Sequence, residues 1–143
     1  MTKLPPLEKV YEAWTALSDG RVKLNDDATA TIDSSDSSKH YTVRFSGDIF
    51  SSNDNATFWQ GYPGYPVIAV LMLQGRLPYD KEEAQLWRDV NWKEINTRFK
   101  NKYAEAVAEI DAQRDIDLKK SNEAARNVLE ALEKLGIVIK RKI

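Results

Sequence analysis

The chain is organised around one apolar stretch near its middle. Val67–Leu73 is an unbroken apolar run, preceded by Pro66 and followed by Gly75. The run is too short to cross a bilayer, which takes about 20 apolar residues, so we expect it to be buried in protein. Periodicity alone does not separate a buried helix from a buried strand when every position is apolar. A proline in the first turn and a glycine as a stop favour the helix.

The residues before this run show two different periods. An amphipathic helix is predicted first, because apolar side chains recur at spacings of three and four: Leu7, Val10, Tyr11, Trp14 and Leu17. From Arg21 to Ser52 the period changes to two, which predicts strands. The alternating apolar positions are Val22, Leu24, Ala30, Ile32, Tyr41, Val43 and Phe45. One apolar and one polar face are typical of an antiparallel sheet covered on one side.

The residues after the run are predominantly helical. Asp80–Glu83 is typical of a capping box that opens a short helix. Residues 92–135 contain no glycine or proline and carry two apolar stripes, separated by polar residues. The first stripe is Trp92, Ile95, Phe99, Tyr103, Ala106, Val107 and Ile110, and the second is Ala124, Ala125, Val128, Leu132 and Leu135.

One continuous helix over this region would be about 65 Å long, far longer than a compact domain of this size. We therefore expect a hairpin broken near Leu118–Asn122, with Ser121 as the cap. The alternative is an unbroken helix whose distal stripe packs on a second chain. Gly136 ends the last helix, and Ile137–Ile139 is expected to return as a strand to an edge of the sheet.

Together these patterns predict a single α+β domain over residues 1–143. Its core is an antiparallel β-meander of three or four strands, packed by an N-terminal helix, a buried central helix and a C-terminal helical pair, with a C-terminal strand returning to the sheet. A content of 42% hydrophobic and 30% charged residues is ordinary for a folded domain.

Composition narrows the chemistry mainly by exclusion. Cysteine is absent, which removes disulfides, thiolate metal sites and cysteine nucleophiles. His40 is the single histidine, so a histidine-rich zinc site is excluded, and we interpret His40 as a strand-edge residue. No catalytic residue, metal or cofactor is predicted. The first ten residues lack the apolar region of a secretory signal, so a cytoplasmic location is expected.

The carboxylates are interpreted as structural groups exposed to solvent. We assign Asp26-Asp27 to a turn and Glu82-Glu83 to a helix N-terminus. Three further aspartates are placed on a polar helix face: Asp111, Asp115 and Asp117.

The best candidate for a ligand site is an aromatic loop rich in glycine and proline, over residues 58–66. Aromatic rings give a large contact area for little lost rotamer entropy, and tyrosine and tryptophan keep a polar tip for orientation. The alternative is that these rings only cover the core. The predicted ligand-binding residues are Phe58, Trp59, Tyr62, Tyr65 and Arg76.

The C-terminal stretch LEALEKLGIVIKRK, residues 129–142, resembles the last helix and wing strand of winged-helix DNA-binding domains. This resemblance covers only the tail, and it implies phosphate contacts by Lys140-Arg141-Lys142. Three cations give only a weak, salt-sensitive term, and the net charge of −1 adds no global attraction to nucleic acid or membrane.

Three functional hypotheses follow, and a non-enzymatic role is favoured over an enzymatic one. The first is a protein–protein interaction module that uses the long C-terminal helices, including self-association as a homodimer. The second is small-molecule or peptide binding through the loop 58–66. The third is an enzyme built on the scattered carboxylates. Weak nucleic-acid binding through the basic C-terminus is a further, disfavoured alternative. No membrane partner is expected.

Overall fold

The computed structural model describes residues 3–26, 28–35, 37–92, 94 and 103–141. Its five-stranded sheet has the strand order β1-β2-β3-β4-β5. The strands are β1 Val22–Leu24, β2 Thr29–Asp33, β3 His40–Ser46, β4 Ile49–Ser52 and β5 Val138–Ile139. The first four form the predicted antiparallel meander. β5 returns from the end of the described chain and pairs with β4 in parallel, which confirms the predicted edge strand.

The helices complete an α+β fold, as predicted. They are α1 Glu8–Ser18, a short π-helix Ala56–Gln60, α2 Tyr65–Leu73, α3 Lys81–Gln85, α4 Tyr103–Arg114 and α5 Leu118–Leu135. Among the described helices, none is both long and apolar enough to cross a bilayer.

The central apolar run is a buried helix. In α2, Val67–Leu71 have no exposed surface and Met72 is 3% exposed. Pro66 lies in the first turn, where its missing N–H costs no helical hydrogen bond. Gly75 follows the helix with a φ of +75°, a left-handed conformation that stops it. α2 contacts β1, β3, β4 and α1, so helices and strands together exclude water from the run.

The sheet has an apolar inner face and a polar outer face. Ala30 lies opposite Val43 on the inner face, and both are fully buried. Thr31 lies opposite Thr42 on the outer face, and both are half-buried. α2 packs on the inner face and α1 packs on α2, as expected for a sheet covered on one side.

The two C-terminal stripes belong to two separate helices, but the break lies slightly earlier than predicted. Asp115 takes a left-handed φ of +54°, and the Oδ1 of Asp117 accepts a hydrogen bond from the N–H of Lys120 at 3.2 Å. Ser121, the predicted cap, lies inside α5 and is fully buried. Both stripes enter the core through Ala106, Val107, Ile110, Ala125, Val128 and Leu132.

The buried side of α1 carries a cluster of four aromatic rings. The polar atoms of Tyr11, Trp87 and Trp92 are hydrogen-bonded inside the protein, whereas the buried Nε1 of Trp14 has no hydrogen-bond partner among the described residues. The Nε1 of Trp92 donates to the Oγ1 of Thr15 at 2.8 Å, and the Nε1 of Trp87 donates to the Oγ of Ser121 at 3.3 Å. The Tyr11 ring meets the Trp87 ring at 4.4 Å between centroids. These contacts tie α1 to the segment after α3 and to α5. We call Tyr11, Trp14, Trp87 and Trp92 the buried aromatic cluster.

Glu83 corrects the expectation that all the carboxylates face solvent. It is 3% exposed, and its Oε1 accepts a hydrogen bond from the Ser121 hydroxyl. Asp80 does cap α3, because its Oδ1 accepts from the N–H of Glu83 at 3.1 Å. Asp26, Asp115 and Asp117 are exposed as expected. The predictions for Asp27, Ile95, Phe99, Lys142 and the side chains of Tyr103 and Asp111 lie outside the described residues.

Candidate ligand-binding surface

The five predicted ligand-binding residues lie in different surroundings. Phe58 and Trp59 meet edge to face, with ring centroids 4.8 Å apart. Tyr62 lies beneath the ammonium group of Lys3, 5.6 Å from the ring centroid. Tyr65 and Arg76 each contact other elements.

Tyr65 begins α2 and packs against Tyr41 of β3, with ring centroids 6.2 Å apart. Arg76 donates to the Gly47 carbonyl at 3.1 Å and pairs with Asp48, which ties it to the turn between β3 and β4.

The backbone that presents Phe58 and Trp59 is held by a buried carboxylate. The Oδ2 of Asp54 accepts hydrogen bonds from the N–H of Thr57 at 3.1 Å and from its hydroxyl at 3.0 Å. The Thr57 hydroxyl oxygen in turn accepts from the N–H of Gly64 at 2.9 Å. A Cβ at position 64 would lie 2.2 Å from the Asp54 Oδ2. Glycine is therefore required at this position for the loop to close on Asp54.

The C-terminal Arg141 covers the two aromatic rings. Its guanidinium carbon lies 5.3 Å from the Phe58 centroid and 5.4 Å from the Trp59 centroid, within cation–π range. Its Nε donates to the Phe58 carbonyl at 3.3 Å, and its own carbonyl accepts from the Ser51 hydroxyl at 2.9 Å. Two features predicted separately, the aromatic loop and the basic C-terminus, therefore form one surface. Trp59 remains 65% exposed there.

Arg44 adds a second guanidinium to this surface from the outer face of β3. A cleft of about 370 Å³ lies between the two arginines, and its described lining contains no carboxylate. The lining is Thr42, Arg44, Ser51, Ser52, Asn53, Phe58 and Arg141. We call this cleft, together with Trp59, the arginine–tryptophan surface.

Neither arginine of this surface forms an ion pair within the described residues. The charge of Arg44 affects the pKa of Asp26, an exposed carboxyl group in the turn between β1 and β2. The backbone N–H groups of Ala28 and Thr29 are the main reason why the pKa of Asp26 is lowered, and Arg44 is the smallest contributor. Among the described residues, Arg44 and Arg141 therefore keep their guanidinium groups without an ion-pair partner.

A second cleft, of about 270 Å³, lies between α1, the loop after β2 and Tyr65. Of the three cations in its described lining, Lys9, Arg21 and Lys39, the first two have carboxylate neighbours. The Nζ of Lys9 is 3.1 Å from the Glu12 carboxylate, and the Nε of Arg21 is 3.6 Å from that of Asp19. Burial raises the pKa of Tyr65, and the Arg21 charge opposes this shift. Because Lys9 and Arg21 already have protein partners, this cleft is the weaker candidate for a charged ligand.

Sequence reasoning did not identify Arg44, Thr42 or Asn53 as site residues. Arg44 and Thr42 are outward-facing polar positions of a strand, indistinguishable by pattern from other solvated ones. Their proximity to Arg141 depends on β5 pairing with β4, a long-range contact. His40 begins β3, is exposed, and lies 2.6 Å from the Asp33 carboxylate through Nδ1, as a strand-edge residue would.

The resemblance of the tail to winged-helix domains is limited to the order of a helix, a glycine and a strand. In the sheet order, β5 is an edge strand whose neighbour is β4 of the meander, aligned in parallel.

Comparison with known proteins gives a family match without an activity. No curated protein and no solved structure matches the chain. One family model covers nearly the whole sequence, from residue 2 to residue 138. The chain therefore belongs to the family described as uncharacterised conserved protein UCP014422.

Proposed function

We propose that this protein is a non-enzymatic binding protein that takes an anionic ligand at the arginine–tryptophan surface. The observation that carries the proposal is the pairing of Arg44 and Arg141 across a cleft with no carboxylate in its described lining. An exposed tryptophan lies directly beside it.

The chemistry of guanidinium groups supports an anion. A guanidinium presents a fixed fork of donors that matches carboxylate and phosphate oxygens, and it is more weakly hydrated than an ammonium group. Arg141 is held by its Nε bond to the Phe58 carbonyl and by the two rings, so part of its ordering cost is met before a ligand arrives. The hydroxyl and amide groups of Thr42, Ser51 and Asn53 add neutral polar partners along the cleft.

The hypothesis of a protein–protein module rests on the C-terminal helices, and they give it less support. The apolar stripes of α4 and α5 contribute to the core of the same chain. The large apolar side chains that remain exposed come from different parts of the molecule: Leu4, Leu24, Trp59, Leu73, Leu86 and Val138. The homodimer remains a prediction.

A titration with inorganic pyrophosphate, followed by NMR of arginine Nε–H signals and backbone amides, tests the proposal. We expect the Arg141 and Arg44 signals to shift together with amides near Phe58. Arg44→Gln and Arg141→Gln should each weaken binding about tenfold or more, the range for a charged hydrogen-bonded group.

Arg126→Gln is the matched control, because Arg126 is exposed on α5 and does not line the cleft. It makes the same change in net charge and should leave the pyrophosphate affinity within about twofold. Equal losses in all three variants, or shifts confined to other regions, would contradict the proposal.

A further inference from the structure

We infer that the anionic ligand is single-stranded nucleic acid, bound along the outer face of the sheet with a base stacked on Trp59. This inference rests on the proposed function and names its ligand class.

The openness of the site argues for a polymer rather than a small molecule. Pockets for small molecules typically bury about 70–90% of the ligand surface. Here Arg44, Asn53 and Arg141 are exposed, and Trp59 is 65% exposed. A small ligand would leave much of its surface in water. A single-stranded nucleic acid gains affinity instead from several shallow contacts along its length.

The rings provide the second part of single-strand recognition. Stacking on an aromatic side chain tolerates any sequence, because every base has a π-face. Trp59 is the most exposed of the large hydrophobic side chains in the described part of the chain. Arg141 lies over both Phe58 and Trp59, so a phosphate bound to Arg141 would place the adjoining base next to these rings.

Cations and rings also continue beyond the cleft. Lys3 lies over Tyr62, three residues after Trp59, and forms a second pair of cation and ring on the same loop. Lys140 is exposed immediately before Arg141.

Two described carboxylates lie toward the outer face of the sheet. Asp33 is at the far end of β2 from Arg44 and is paired with His40. Asp26 is in the turn at the Arg44 end, and its Oδ1 accepts from the N–H groups of Ala28 and Thr29.

The same inventory argues against duplex DNA. Duplex binding without base contacts depends on neutralising many phosphates, and the described lining of the cleft offers two cations, Arg44 and Arg141. Bases inside a duplex cannot stack on Trp59, whereas an unpaired strand exposes them. Base stacking on Trp59 therefore favours single-stranded nucleic acid over a duplex.

The test is fluorescence anisotropy of a labelled oligothymidylate of about ten nucleotides, with the full chain, over a range of salt concentrations. A duplex of the same length and thymidine monophosphate are the competitors. We expect the single strand to bind about tenfold or more tightly than either competitor. The slope of log K against log salt should be about −1.4, for the two arginines of the cleft on a single strand.

Trp59→Leu separates stacking from charge. We expect it to weaken oligothymidylate binding about tenfold. Pyrophosphate binding should fall by a smaller factor, because pyrophosphate has no base to stack and loses only the support that the Trp59 ring gives to Arg141. Arg126→Gln again serves as the control for net charge.

Each other outcome has a defined meaning. Pyrophosphate binding without tighter oligothymidylate binding would overturn this inference and leave the proposed function intact. Loss of both would overturn both. Equal affinity for the duplex, tighter binding of a phosphorylated peptide, or no effect of Trp59→Leu on the single strand would each overturn the single-strand assignment.

Discussion

Trp87 and Trp59 occupy opposite kinds of surroundings, and the contrast separates structure from function in this molecule. Trp87 has no exposed surface, and its indole N–H donates to Ser121. Trp59 is 65% exposed, and its ring contacts Phe58 and the guanidinium group of Arg141. Most buried polar groups find their hydrogen-bond partner inside the protein, as Trp87 does. A binding surface must instead leave rings and charges available.

The charges follow the same rule as the rings. Around the buried aromatic cluster, the Glu83 carboxylate accepts from the Ser121 hydroxyl, which also accepts from Trp87. In the cleft beside Tyr65, Lys9 and Arg21 have carboxylate neighbours. On the arginine–tryptophan surface, no carboxylate lines the described cleft. The two regions are therefore expected to respond to mutation in opposite ways.

The largest expected difference is between truncations of the two tryptophans. Trp87→Ala should lower the free energy of unfolding by about 3–5 kcal/mol, because it opens a cavity and removes the donor to Ser121. Trp59→Ala should change it by less than about 0.5 kcal/mol, as for other exposed positions. Urea denaturation followed by circular dichroism measures both. Similar losses in the two variants would remove the distinction between the regions.

The next largest expected effect on the free energy of unfolding concerns the contact between Gly64 and Asp54, which holds the loop 58–66. Gly64→Ala should cost about 1–3 kcal/mol, because the new Cβ meets the Asp54 carboxylate. Asp54→Ala removes the group that it would meet. The double variant should therefore lose less stability than the sum of the two single variants. Simple additivity in thermal or urea denaturation would show that Asp54 and Gly64 are not coupled.

The same pair of variants links stability to binding. Since Asp54 positions the backbone before Phe58 and Trp59, Gly64→Ala should also weaken pyrophosphate binding. Unchanged affinity would mean that the loop is not needed to form the site.

The smallest effect concerns the pH response of Asp26. Its pKa is lowered from 3.8, chiefly by the N–H groups of Ala28 and Thr29. A lowered pKa in the folded state means that the turn's contribution to stability is present above the unfolded pKa and is lost as the pH falls through the folded pKa. NMR titration of the Asp26 carboxyl carbon should give a value below 3.8. Asp26→Asn should remove this part of the acid dependence.

Arg44→Gln sharpens the comparison, because Arg44 is the smallest cause of the lowered Asp26 pKa. The Asp26 titration should move only slightly in this variant. A return to 3.8 would show that Arg44 is the main partner of Asp26 and is not available to a ligand.

The elements of the fold that depend on local sequence patterns could be predicted from the sequence. The period-two stretch predicted the meander, and Pro66 and Gly75 bounded the central helix as observed. The break between α4 and α5 was misplaced because Asp117 and Ser121 are both good caps. Ser121 turns inward to Glu83, a partner distant in the chain that no local pattern reveals.

Only part of the candidate site could be predicted from the sequence, because some of its contacts join residues that are distant in the chain. Phe58 and Trp59 were predicted from composition, and they do contact each other. Tyr65 and Arg76 were assigned with them by proximity in sequence, but the structure places them against β3 and the turn before β4. Arg44 could not be assigned, since its role depends on where the C-terminus returns.

The most direct measurement is acrylamide quenching of tryptophan fluorescence with and without oligothymidylate. Trp14, Trp87 and Trp92 are at most 4% exposed, so the quenchable emission should come from Trp59. We expect oligothymidylate to protect that emission, and Trp59→Phe to abolish both the quenching and its protection. Undiminished quenching of Trp59 in the presence of bound oligothymidylate would contradict the account.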